Sequence, residues 1–310
     1  MSLWSATPVR CWPEPLQIGD LRRNPALQDV HFRSDGTLLV ADKRDIHMFR
    51  NEGREHSLMR QELTANRDRD GGLRQKGLLF SPQCMTDIDD SSFAFTDRFN
   101  MTVCIYSTVR QEIESLQREI FRRAQVTAEK YPATAPFGIV RLRSGKLAVS
   151  DKLQRVVHIV DVETNRIIHR VQPTDKPFGE PTFMTLDRHG RILVSDRQNN
   201  NIRMLDASGE RLIGQFNAGN HQPGRYRCLN APGGVVVDSN TGDMLIANND
   251  VNNPLVHVTE RGAFVKVLRL DRAELGATVP NALALRNNSD LALTNNHRGT
   301  VTVLALNDRN

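Results

Sequence analysis

The chain reads as an all-β protein that closes into a six-bladed β-propeller. Three features point there: a four-strand unit recurs six times, the recurrences are evenly spaced, and the last unit lacks a strand that the start of the chain is able to supply. Each unit begins with an alternating strand and a polar turn, often Asp-Gly or a lone Gly. A short apolar run ending in Asp or Asn follows, then a polar loop, a third strand and usually a fourth. Segment one holds DVHF, SDG, LLVAD and IHMF, and segment two MTDI, FAFTD and TVCIY. Segment three reads FGIVRL, SG, LAVSD and VVHIVD, and segment four TFMTLD, HG, ILVSD, NIRMLD and SGERLIGQF. Segment five reads GGVVVD, TG, MLIAN, LVHVTE and RGAFVKVL, and segment six NALAL, NNSD, LALTN and TVTVLAL.

The residues closing the second strands, Asp42, Asp97, Asp151, Asp196, Asn248 and Asn295, lie 55, 54, 45, 52 and 47 residues apart. A period near fifty built of short strands is the sequence form of a propeller blade. One blade cannot bury both its faces, so the units must stack around a ring. This gives one propeller over 1–310, with blades at about 28–58, 82–116, 136–171, 181–216, 231–268 and 279–306. Segment six stops after its third strand, so residues 9–18 are expected to supply its outer strand and leave no open edge. Pro13 and Pro15 make that strand imperfect but tolerable at an outer edge. Residues 59–80 and 117–131 exceed the period and read as basic insertions emerging as loops. NHQPGRYRCLN is a shorter one, with Arg225 and Arg227 around Tyr226.

Composition excludes several classes. Hydrophobic residues at 39% and charged residues at 25% are ordinary for a water-soluble globular protein, and no apolar run is long enough for a membrane span. The first residues, MSLWSATPVRCWPEP, lack the basic start and apolar run of a signal peptide. The four cysteines form no CxxC pair, which favours a reducing compartment and a cytoplasmic location. Closure removes free edges, so a monomer is expected. The net charge of +5 is mild, so its placement matters more than its size.

The informative position is the one just after each closing residue: Lys43, Arg98, Lys152, Arg197, Asn249 and Asn296. Near-rotational symmetry puts these four cations and two amides around one mouth of the central channel, with Arg298 in the last loop beside them. Such a ring suits phosphates, and its amides suit the edges of unpaired bases. Residues before the first strands ring the same mouth. Phe137, in APFG, is the aromatic among them and either stacks a base, plugs the channel or packs between blades. The closing carboxylates read as structural, bonded to backbone N–H groups of the turns that follow them. Arg155 and Asn201, before third strands, read as bridges between adjacent blades. The nine histidines scatter without an HxxxH or a tight acid cluster, and no GxSxG or Cys–His pattern stands out. Neither a metal, a cofactor nor a catalytic residue is therefore expected.

Residues 181–216 and 231–268 carry a proline before a first strand, an apolar run ending ILVSD or LIAN, an Asn-rich loop and a strand pair such as SGERLIGQF. In this order the motifs resemble the NHL repeat, and over nearly the whole chain from Val9 onward the pattern is similar to the NHL domain of TRIM-NHL proteins. The resemblance implies an NHL-type propeller acting in post-transcriptional regulation. It would bind single-stranded or stem-loop mRNA on an electropositive face in some members and a regulatory protein in others, with no DNA or membrane partner. Matched by motif, the implied RNA-contacting positions are Arg98, Lys152, Arg197, Asn249 and Phe137. Where RNA-binding members place aromatics before first strands, this chain has Ser81, Glu180 and Ala231. The RING, B-box and coiled-coil parts common in the family find no room in these 310 residues. A protein-interaction scaffold is the alternative function, followed by a metal-dependent channel lactonase or lyase.

Overall fold

A computed structural model describes residues 10–11, 16–17, 27–43, 46–51, 58–63, 81–110, 112–116, 134–217, 229–268, 279–295 and 299–306. The chain opens with β1 (Arg10–Cys11) and β2 (Leu16–Gln17). Blade 1 is β3–β6 (Asp29–Phe32, Leu38–Ala41, Ile46–Asn51, Leu58–Leu63), and blade 2 is β7–β10 (Pro82–Asp89, Ser92–Asp97, Thr102–Ser107, Glu112–Ser115). Blade 3 is β11–β14 (Pro136–Arg141, Leu147–Asp151, Val156–Asp161, Arg166–Val171), and blade 4 is β15–β18 (Pro181–Leu186, Ile192–Asp196, Asn201–Leu205, Leu212–Phe216). Blade 5 is β19–β22 (Val235–Val237, Met244–Ala247, Leu255–Val258, Phe264–Leu268), and blade 6 contributes β23–β25 (Leu283–Arg286, Asp290–Asn295, Thr300–Ala305).

Every blade is an antiparallel sheet with its strands in chain order, and the first strands pack side by side around the channel, β23 against β3 completing the ring. The sixth blade is finished from the other end of the chain: β1 and β2 both pair with β25, Cys11 opposite Leu304 and Leu16 opposite Val301. Residues 12–15 between them, which include Pro13 and Pro15, lie outside the described residues. The first insertion starts later than the sequence suggests, because Leu58–Leu63 is the fourth strand of blade 1, paired with β5. Residues 64–80 and 117–131 lie outside the described residues, as do Arg225, Tyr226 and Arg227.

Burial explains the apolar runs. Second strands lie between neighbouring blades on both faces, so LAVSD and ILVSD are buried at every position. Outer strands alternate instead, as Leu212–Phe216 does, because one face meets water. The turns joining first to second strands use Gly145 at φ 84° and Gly190 at φ 80°, a left-handed conformation that suits tight hairpins.

Adjacent blades are stitched by a hydroxyl that precedes the closing residue of the second strand. Thr96 donates to the carbonyl of Phe137, Ser150 to that of Thr182 at 2.7 Å, and Ser195 to that of Gly233, each in the next blade. The same Thr96 and Ser150 accept from Cys84 N–H at 3.1 Å and Gly138 N–H at 2.8 Å in their own first strands. That side-chain bond stands where the backbone ladder shifts register, between Pro136 and Ile139 and between Pro82 and Met85. The blades approach so closely here that a Cβ on Gly138 would lie 2.0 Å from the Thr182 carbonyl oxygen.

Candidate nucleic-acid interface

The two ends of the channel differ. The chain enters its first strands at one end, the entry face, and makes its first-to-second turns at the other, the turn face. The closing residues build the entry face. Asp97 Oδ1 accepts from Phe99 N–H at 2.9 Å in the following turn and from Ser81 N–H at 3.0 Å ahead of the first strand. Asp151 Oδ1 does the same with Leu153 (3.0 Å), Gln154 (2.9 Å) and Ala135 (3.1 Å). Asp196 accepts from Glu180 N–H at 2.9 Å, the Asn199 amide at 2.8 Å and the Arg203 guanidinium at 3.1 Å. Asn248 substitutes an amide, accepting from Asn230 N–H at 2.6 Å. The structural role read from sequence is thus present and larger than expected, because each carboxylate clamps two chain segments. Burial works to raise the Asp151 carboxyl, but His158, the Gln154 and Ala135 amides and the Thr134 hydroxyl outweigh it and hold it below its ordinary value.

The residue after each clamp is fixed in the same way in four blades. Arg98, Lys152, Arg197 and Asn249 donate their backbone N–H to the carbonyls of Ser81, Ala135, Glu180 and Asn230, at 2.9–3.2 Å. Their side chains converge on a cavity of about 300 Å³ that is also lined by Gln28, Gln83, Phe137 and Asn281. Five of the residues selected from sequence, Arg98, Phe137, Lys152, Arg197 and Asn249, therefore share one cavity. Lys43 is exposed at the equivalent position of blade 1 but does not line it. Asn296 and Arg298 lie outside the described residues.

The cations are not equivalent. Lys152 Nζ lies 3.2 Å from Glu180 Oε1 and 5.1 Å from the centre of the Phe137 ring. Arg98 is exposed and Arg197 half-buried, and neither has an ion-pair partner among the described residues. Phe137 corrects the stacking expectation. Its side chain is buried at 5% exposure, its ring meets Phe183 edge-on at 5.2 Å, and Lys152 covers it. It forms the floor of the site, which is the packing alternative. Arg155 is also no bridge, since it is exposed in a turn at φ 57°.

What sequence reading missed is the third-strand partner of the clamps. His47 lies 3.1 Å from Asp42, His158 3.9 Å from Asp151, and Arg203 3.1 Å from Asp196, each buried behind its carboxylate. The signal was in the register, since His47, His158 and Arg203 stand opposite Val40, Val149 and Val194 on the second strands.

At the turn face, a channel cavity of about 400 Å³ is lined by Asp29, His31, Cys84 and Thr86 among apolar inner-strand residues. Burial pushes the Asp29 carboxyl up to about 7 even though Met85 N–H donates to it at 2.8 Å. Among the described residues, no cluster of three or more His, Cys, Asp or Glu is placed to hold a metal ion, and no helix is long and apolar enough to cross a membrane.

No family model matches the chain, and no curated protein matches it. Many solved structures share the fold. A catalytically inactive virginiamycin B lyase from Staphylococcus aureus with quinupristin superposes with a TM-score of 0.62 at 13% identity, over 95% of this chain and 99% of that one. The Cps50 (Swd1) β-propeller domain of Myceliophteria thermophila gives 0.60 at 15% identity, over 91% and 84%. A chain of a nidogen/laminin complex gives 0.59 at 15%, over 87% and 89%. The chain is a six-bladed β-propeller. At these identities the likeness establishes the fold alone.

Proposed function

We propose that the entry face binds single-stranded or stem-loop RNA and that the chain works in post-transcriptional regulation, as the NHL-type resemblance implies. One observation carries this reading: among the described residues, the entry cavity is lined by three cations and four amides and by no carboxylate. Cations without internal partners are available to phosphates, and Arg presents a fork that matches two phosphate oxygens. Amides on a fixed frame suit the edges of bases splayed from a single strand. Phosphate contacts of this kind make binding salt-dependent, and the dependence counts them. A protein partner is the second reading, favoured by Phe99, Leu153 and Val251, which are exposed in loops of the same face. The experiment is selection from a randomised pool of short single-stranded RNAs at two salt concentrations, with sequencing of the retained fraction. Tight, salt-sensitive binding with an enriched motif, lost on Arg98→Ala with Arg197→Ala, supports RNA. Weak, unenriched binding indifferent to those substitutions rejects it and leaves the face to a protein.

A further inference from the structure

The aromatic expected to stack a base, Phe137, is buried, yet the entry face does present an aromatic ring. Phe99 follows Arg98 directly and is 59% exposed. Among the described residues it is the one exposed aromatic: the other Phe and Tyr side chains are buried or half-buried. Its position is set by the frame. The Asp97 carboxylate that clamps the entry segment also holds Phe99 N–H at 2.9 Å, and Asn100, whose amide donates to the same carboxylate at 2.6 Å, is buried beneath it. The ring thus stands on a fixed turn, one residue from a cation without an ion-pair partner among the described residues.

The next blade repeats the arrangement. Leu153 occupies the same position after Lys152, is held by Asp151 in the same way at 3.0 Å, and is 58% exposed. Blades 4 and 5 place Gln198 and Asp250 there, so an apolar residue at this position belongs to blades 2 and 3. A lone exposed apolar residue needs no explanation. Two at one repeat position, each beside a cation and each held by a buried carboxylate, form a pattern. Even with Val251, the three exposed apolar side chains of this face are too little area for the apolar core of a protein interface, whereas one ring is the size of a base and one cation the complement of its phosphate.

We infer that Phe99 is the base-stacking residue of this site, with Arg98 on the adjoining phosphate and Leu153 flanking the next nucleotide. This rests on the RNA reading of the entry face and adds a base contact to it. Stacking on an aromatic ring is tolerant of base identity, so Phe99 contributes affinity while the amides contribute selection.

The test uses the full chain with two probes, a single-stranded RNA of about ten nucleotides and an abasic oligonucleotide of the same length. Phe99→Ala is expected to weaken binding of the base-bearing strand about tenfold. It should leave abasic binding and the salt dependence unchanged, and Phe99→Trp should restore affinity. Because Phe99 is mostly exposed and bonds to Asp97 through its backbone, the variants should fold. Equal weakening on both probes would make Phe99 a support for the loop and overturn the inference. No change with Phe99→Ala, while Arg98→Ala with Arg197→Ala weakens both probes, would overturn stacking and leave the RNA reading standing. Indifference to all of these substitutions would remove both.

Discussion

The two faces of the ring both carry arginines and use them differently. On the turn face they staple blades together. Arg33 donates to Asp87 at 2.9 Å and to the carbonyls of Asp89 and Asp90, tying blade 1 to blade 2. Arg143 reaches the Arg188 carbonyl at 2.6 Å, and Arg188 grips Glu260 through two bonds, at 2.8 and 2.6 Å, joining blades 3, 4 and 5. Arg286 caps the Gly36 carbonyl at 3.3 Å and closes blade 6 on blade 1. On the entry face Lys152 reaches Glu180 of the next blade at 3.2 Å, but backbone amides, carboxylates and hydroxyls do the rest, and Arg98 and Arg197 have no ion-pair partner among the described residues. Net charge therefore says little about this molecule; what marks the candidate site is cationic charge that the fold does not use.

The sharpest way to break the contrast is at the frame. Asp196→Ala leaves the buried Arg203 without its carboxylate and frees the Gly179–Glu180 segment. It should cost about 3–5 kcal/mol in urea unfolding and also weaken RNA binding, since Arg197 loses its setting. Arg33→Ala should cost about 3 kcal/mol, because its partner Asp87 and two carbonyls lose a donor that is itself 4% exposed. RNA binding measured well below the melting temperature should be unchanged.

The channel gives a pH test. Folded Asp29 holds its proton to about pH 7, against an ordinary value of 3.8. The folded state thus binds that proton more tightly than the unfolded chain. Its contribution to stability is full at about pH 4 and below, falls as pH rises, and levels off above about pH 7. Asp29→Asn should flatten that part of the urea-midpoint profile between pH 4 and 8. An unchanged slope would show that Asp29 ionises normally in the fold. The smallest expected stability effect is that of Arg98→Ala with Arg197→Ala, whose urea midpoint should match the parent within error.

Much of this was legible in the sequence because the repeat multiplies each signal. Six closing residues at a steady period specify the blades, and rotational symmetry then brings Arg98, Lys152, Arg197 and Asn249 to one mouth without knowledge of any single contact. The failures are places where residue type does not encode environment. Phe137 and Phe99 both sit beside the mouth, but a register shift packs the first against Phe183 while a carboxylate-held turn exposes the second. Leu58–Leu63, LMRQEL, lacks the alternation of a strand, so its residues from Met59 on read as part of a basic insertion, although the segment serves as an outer strand. The hydroxyls of Thr96, Ser150 and Ser195 recur at one position in three consecutive blades, but nothing local says that their acceptors lie in the next one.

The central claim is that position, more than the number of cations, creates the interface, and a matched removal of charge tests it most directly. Arg98→Ala with Arg197→Ala and Arg143→Ala with Arg188→Ala each lower the formal net charge from +5 by two. Affinity for one single-stranded RNA is measured against salt for the parent and both variants. The entry-face pair should lower the slope of log K against log salt by about 1.4, the contribution of two phosphate contacts on a single strand, and the turn-face pair should leave it unchanged. An equal fall in both variants would mean that RNA senses only the overall charge, and the entry face would not be the site.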